Sequence, residues 1–291
     1  MGLYAIAVWL LCGLVTDHLW LQFACFVISS YLMVELNNSN ALIRIYSRMV
    51  SCSFIMMVCM STFLLQSSKG MMLSICVVMS FVMAFLSYQD KYSMGRIFYS
   101  FMSIGIGSMI DVSVLFFVPV MWLAMFFHLQ SMTLRTFISS LFGLICPYWF
   151  VAVYLIYTND ITLAVEHFSQ LAVFGKVANF SQVPVSALVS ICYITILSVV
   201  GIIHYLRNRV FDKTRTRMFY NTFILFDIFT IAFIILQPQH YATMLIILIV
   251  TTSPLIAHFI ALTHTWITNL AFKVIVATAL SLTIINIFQL I

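Results

Sequence analysis

The sequence predicts an all-α fold: a polytopic transmembrane helix bundle of about eleven spans, nine at the fewest, forming one integral membrane domain over residues 1–291 with a cytoplasmic N-terminus. Three observations predict it. Apolar residues make up 64% of the 291 positions and charged residues only 7%, against about a quarter in a soluble domain. The mean hydropathy is +1.12. The few basic residues sit in short breaks between apolar runs, where they set topology; the net charge of +5 is therefore no sign of nucleic-acid binding. A chain of this kind cannot cover its surface in water. In a bilayer, runs of about 20 apolar residues satisfy their own backbone as helices and span the core.

Taken in order, the apolar runs are 2–16, 19–34, 49–66, 71–88, 97–110, 112–129, 137–157, 183–206, 218–236, 241–262 and 265–288. Residues 2–34 are broken only at Asp17-His18, and 97–129 only at Asp111, so each pair reads either as two short helices or as one long one. The excess of Lys and Arg in cytoplasmic loops arbitrates the second. With Asp111 as a hairpin tip, one side collects ten basic residues: Arg44, Arg48, Lys91, Arg96, Arg135, Arg207, Arg209, Lys213, Arg215 and Arg217. The other side has Lys69 and Lys176. With 97–129 as one span the split is five against seven and the bias disappears. The glycines of "SIGIGS" are expected to let the two hairpin arms approach closely. The loop 207–217 becomes the main cytoplasmic anchor. Membrane lipids are the expected partners, and Arg207, Arg209, Lys213, Arg215 and Arg217 are placed to meet anionic headgroups.

The N-terminal run lacks a basic n-region and a small-residue cleavage site, so a removable signal peptide is not expected. The seven cysteines lie within apolar runs and form no C-x-x-C, which argues against a disulfide framework or a zinc site. No histidine pair has metal-ligand spacing, and there is no phosphate-binding glycine loop, nucleophile elbow or ATP motif. The residues name no cofactor.

Two groups of residues carry the functional expectations. The outer side holds Asp17, His18, Asp111, Asp160, Glu166 and His167, with His240 nearby. Its longest loop, 158–182, places Ile161, Ala164, Val165, Phe168, Leu171 and Ala172 on one helical stripe and Thr162, Glu166, Ser169 and Gln170 on the other. That pattern predicts an amphipathic interfacial helix of about 12 residues, about 18 Å long. Carboxylates at such turns are solvated turn residues or line a wet cavity, where they serve as general bases or hold a metal-bound phosphate. Inside the membrane, Asp227 and Lys273 lie nine and eight residues from the starts of their spans. At equal depths of about 12–14 Å the two are expected to pair. His128, His204, His258 and His264 read as ordinary residues near or within spans, and Pro119, Pro147 and Pro254 as kinks.

At "ELNNSNALIRIYSRM" (35–49), "GRIFYSFMSIGIGSMI" (95–110) and "LFGLICPYWF" (141–150) the chain resembles a family of uncharacterised multi-pass inner-membrane proteins of Bacteroidota. The resemblance covers about the first half and implies a bacterial inner-membrane, cell-envelope location. The acidic turn after the first span is faintly similar to multi-pass polyprenyl-phosphate-dependent glycosyltransferases. Those carry acidic residues in a long, partly helical first outer loop; here that loop has about two residues. Three functions stay open: an enzyme acting on a lipid-linked sugar or lipid at the outer face, a transporter or flippase using the Asp227/Lys273 site, and a non-catalytic membrane subunit or assembly factor.

Overall fold

The computed structural model describes residues 1–158, 161–175, 177–263 and 265–288. Among them there are thirteen α-helices and no strand: α1 (Gly2–Leu11), α2 (Trp20–Asn40), α3 (Met49–Met60), α4 (Thr62–Gln66), α5 (Ser68–Phe85), α6 (Met94–Ile110), α7 (Phe117–Phe127), α8 (Leu134–Thr158), α9 (Ile161–Ser169), α10 (Val185–Asn208), α11 (Thr214–Leu236), α12 (Tyr241–Leu262) and α13 (Trp266–Ile287). Seven of these segments are long and apolar enough to cross a membrane: α2, α5, α8, α10, α11, α12 and α13. The chain is thus a multi-pass, all-α integral membrane protein.

The expected eleven full-length spans are not all present as long helices. The run 2–16 yields only the ten residues of α1, because Gly13 turns the chain at a φ of +91°. The run 49–66 is split at Ser61 (φ −89°, ψ 66°) into twelve-residue α3 and five-residue α4. The seventeen-residue α6 ends at Asp111, whose extended backbone (φ −145°, ψ 114°) starts a 3₁₀ turn, Val112–Phe116, before the eleven residues of α7. At 1.5 Å per residue, ten to twelve residues reach about 15–18 Å, roughly half the hydrocarbon thickness. Both doubtful pairs are therefore two helices. The chain reverses at Asp111: Phe101 of α6 stacks on Trp122 of α7 at 6.3 Å, and Gln89, just before α6, donates its backbone N–H to Leu129, just after α7, at 2.9 Å.

Contacts sort the connections onto two ends of the bundle. At one end Arg44 lies over the Phe211 ring at 5.7 Å, Arg215 donates to Asn40 at 3.2 Å, and the 86–93 and 128–133 turns meet through Gln89. This end carries the basic residues. At the other, Asp111 accepts from Thr243, the His167 ring meets the Ser108 carbonyl at 2.9 Å, and Gly175 donates to Gln237 at 2.8 Å.

Helix α12 is the hub. Its span is 89% buried, and it packs against α3, α5, α10 and α11. Helices α8 and α13, 17% and 11% buried, turn most of their apolar surface outward. Beside the hub, Phe81, Phe85, Phe117, Phe219, Phe223 and Phe226 form one aromatic cluster, with Phe85 stacked on Phe219 at 4.3 Å. Ring pairs of this kind add to the packing of helices whose apolar faces gain little from lipid exclusion alone.

The close approach expected between the two hairpin arms goes elsewhere. Gly105 faces α8, where an added Cβ would come within 2.7 Å of the Leu144 carbonyl, and Gly107 faces Leu73 and Cys76 of α5. On α8, Gly143 lies against the backbone of Phe98. Small residues thus seat α6 against α8. We expect Gly143→Ala to destabilise the protein by about 1–3 kcal/mol through overpacking, read as a lower detergent melting temperature. Gly95→Ala, with nothing within 4 Å, should leave melting unchanged.

Candidate functional site

A helix enclosed on nearly all sides must find protein partners for every polar side chain it carries. Helix α12 and the residue before it carry His240, Thr243, Thr251, Thr252, Ser253 and His258 among aliphatic neighbours. Four of these positions, Thr243, Thr251, Thr252 and His258, meet three carboxylates, each from a different part of the chain.

Nearest the acidic end, Asp111 Oδ1 accepts from the Ser113 backbone N–H at 2.9 Å and the Ser113 hydroxyl at 2.6 Å, while Oδ2 accepts from Thr243. Burial by itself raises this carboxyl, but those three donors, with His240 close by, outweigh it and hold Asp111 below the usual carboxylate value. The stabilisation this confers is present above the ordinary Asp range and is lost as pH falls through the lowered value.

At the middle, Asp227 of α11 is completely buried. Ser198 of α10 donates to its Oδ2 at 2.6 Å, Thr252 donates to the same atom at 3.2 Å, and Thr251 donates to Oδ1. All three donors are neutral hydroxyls, themselves fully buried. Gly201 lets α10 come close to α12 just below: its Cβ would stand 2.8 Å from the Leu255 carbonyl carbon.

Towards the basic end, His258 Nε2 lies 3.0 Å from Asp212 Oδ2, with side-chain exposures of 0% and 2%. The other ring nitrogen, Nδ1, is 3.2 Å from His204 Nδ1. With His258 neutral, its Nε2–H donates to Asp212 and its Nδ1 accepts from His204 Nδ1–H. That tautomer leaves His204 Nε2 as an acceptor, and this buried atom has no partner among the described residues. The rings of Tyr205 and Tyr220 enclose His258 at 5.7 and 5.0 Å. The Tyr220 hydroxyl reaches to 3.5 Å from the Pro254 carbonyl, on the stretch of α12 between His258 and Thr251. The three stations are eight and seven residues apart on α12, or about 12 and about 10.5 Å along its axis.

The expected outer set does not converge. Asp111 and His167 both sit at the C-terminal end of α6, the latter through Ser108. Glu166 is exposed on α9. Asp17 and His18 lie in the α1–α2 turn, His18 at a φ of 54° and Asp17 on the wall of a separate polar cavity. Asp160 lies outside the described residues. Helix α9 is nine residues; Leu163, Ala164 and His167 turn towards α8, where the Phe168 ring approaches Tyr148 to 5.3 Å, while Val165 of the expected stripe is exposed.

The expected Asp227–Lys273 pair is absent. Among the described residues the ion pairs are Arg96–Asp90 at 3.7 Å and His258–Asp212. Lys273 is exposed on the outer helix α13, whereas Asp227 turns inward to α10 and α12. Matched depth does not bring two residues together when their helices do not face one another. Conversely, Asp212, His204 and His258 were not expected as a group. A signal existed for one of them: Asp212 is the single acid in the basic run "RNRVFDKTRTR".

No family model, curated protein or solved structure matches the chain.

Two outcomes follow in detergent melts. Lys273→Met should leave stability unchanged. His258→Phe should destabilise by about 3–5 kcal/mol, because it strands a buried Asp212, and Asp212→Asn in the same chain should recover much of that loss.

Proposed function

We propose that the protein is a proton-coupled transporter of a bacterial inner membrane, with the basic end in the cytoplasm and the short helices α1, α3–α4, α6 and α7 completing eleven crossings. The observation that carries this reading is Asp227. A carboxylate at the centre of a membrane bundle, held by three hydroxyls and, among the described residues, no cation, is an expensive group that structural packing alone does not call for. Hydroxyl groups can serve it in both states: they donate to the carboxylate and accept from the acid. Protonation at this position therefore changes charge without breaking the cage.

The other two stations extend the path. His204 and His258 pass a proton by exchange of tautomers, with Asp212 holding the imidazolium form when it arises. Asp111 and His240 occupy the opposite end of the same helix. The exposed Arg207, Arg209 and Lys213 are suited to anionic headgroups, while Arg215 is already engaged by Asn40 and the Phe219 ring at 5.3 Å.

One observation favours a second reading, an enzyme acting on a lipid-linked sugar or lipid at the outer face. An apolar groove of about 550 Å³ runs between α8 and α9, lined by Val151, Leu155 and Leu163 with Tyr148 and His167 among its few polar groups. It could take an acyl or isoprenoid chain; Met109, two residues before Asp111, is on its wall. This reading requires Asp111→Asn or Glu166→Gln to abolish activity while the protein still accumulates.

The transport reading is tested by pH jumps on proteoliposomes adsorbed to a solid-supported membrane. Wild-type protein should give transient charge displacement, and Asp227→Asn should give none while melting at a similar temperature. Equal transients from both proteins would remove Asp227 from any proton step. Absence of transients in both would favour the enzyme or a non-catalytic subunit.

A further inference from the structure

A second cavity lies at the acidic end, apart from the α12 stations. Its volume is about 590 Å³, within the range of small-molecule sites. The α1–α2 turn, α4, the start of α10 and the end of α13 line this open cavity, and its polar lining comes from Thr16, Asp17, Thr62, Gln66, Ser186 and Asn286. Among the described residues that line it there is no Lys, Arg or His, and Asp17 carries the one charge.

Two features of backbone construction serve this cavity. The first is Gly13. Its φ of +91° turns the chain so that the Asp17 carboxylate folds back over the glycine, into the space a Cβ would occupy. Any other residue at 13 would be strained and would drive Asp17 away. Among the described residues no side chain donates to or pairs with the Asp17 carboxylate. The second is the break between α3 and α4. Interrupted helices within membrane proteins are tolerated where the freed backbone is buried in protein or lines a polar cavity. Here Thr62 and Gln66, just past the break, face the cavity. Asn286, from the far end of the chain, donates to the freed Met60 carbonyl at 2.7 Å. Ser61, at the break itself, is fully buried, and its hydroxyl has no partner among the described residues.

We infer that this cavity is a binding site for a small organic cation bearing an ammonium group. The carboxylate of Asp17 supplies the counter-charge. The hydroxyl and amide oxygens of Thr16, Thr62, Gln66 and Ser186 accept the N–H or O–H groups of such a solute. Phe63, also on the cavity wall and 6.1 Å from the Tyr241 ring, offers an aromatic face, which attracts cations. Among the described residues a carboxylate or phosphate solute finds no basic partner there, and a single acid is too few for a divalent metal ion, which takes several oxygen ligands.

The site goes beyond proton coupling and is tested without it, by titration calorimetry of the purified protein in detergent at equal pH throughout. Ethanolamine and choline are the probes, with glucose and acetate as neutral and anionic comparisons. Saturable binding of the two ammonium probes is expected, weakened at least tenfold in Asp17→Asn and weakened to a lesser degree in Gln66→Leu, with no binding of glucose or acetate. Absence of saturable ammonium binding would overturn the inference. So would equal affinity in wild type and Asp17→Asn, or glucose binding as tightly as choline. Asp17 is exposed and Asn is isosteric, so an unchanged melting temperature will show that any loss is local. Because no gradient is present, a failure here is separate from a failure of the pH-jump experiment.

Discussion

Burial of the Asp227 carboxylate constrains the core of this molecule more than any other single contact. A group that costs several kcal/mol to strand in an apolar medium must be met by donors from neighbouring helices. Ser198 must come from α10 and Thr251 and Thr252 from α12, which sets the rotation of all three helices about their axes at one level. Apolar residues on these helices could be exchanged among many registers at small cost in a lipid solvent. The hydroxyl cage cannot, since a shift of one residue turns each donor by about 100° around its helix.

Once that level is set, the rest of α12 follows. Seven residues on, His258 falls on the side where α10 brings His204 and the following turn brings Asp212. Eight residues back, Thr243 falls where the break after α6 presents Asp111. Two of these carboxylates terminate or connect helices, and Asp111 also caps the 3₁₀ turn that begins at Val112. Local chain geometry and long-range polar pairing thus use the same atoms, which explains why a bundle with few charges keeps three acids against one helix.

The degree to which this was legible in the sequence differs by element for physical reasons. The break at Asp111 could be read because the basic residues lose their sidedness without it. Helices α8 and α10 to α13 could be read because each is a long apolar run with polar ends. The interruption at Ser61 could not: "MVCMSTFLLQ" contains neither Gly nor Pro, and the Asn286 amide that satisfies the freed carbonyl is 226 residues away. Asp227 stands out as a charge within a span, but its partners are Ser198, Thr251 and Thr252 and not the Lys273 that depth suggests. Depth along a helix can be counted from a sequence, whereas which way a residue faces depends on packing. The Asp212–His258–His204 group combines residues from a loop and two helices, 46 and 54 positions apart, with no spacing motif to join them. Asp17 was expected at the surface or in a wet cavity, and it lines a cavity that only the fold assembles.

Disulfide trapping in a cysteine-free background tests the central arrangement most directly. Cysteines introduced together at Ser198 and Asp227 should join on mild oxidation, seen as one bridged peptide by mass spectrometry, while cysteines at Asp227 and Lys273 should stay separate. Efficient bridging of 227 to 273, with none between 198 and 227, would contradict the placement of Asp227 against α10 and α12 and the account built on it.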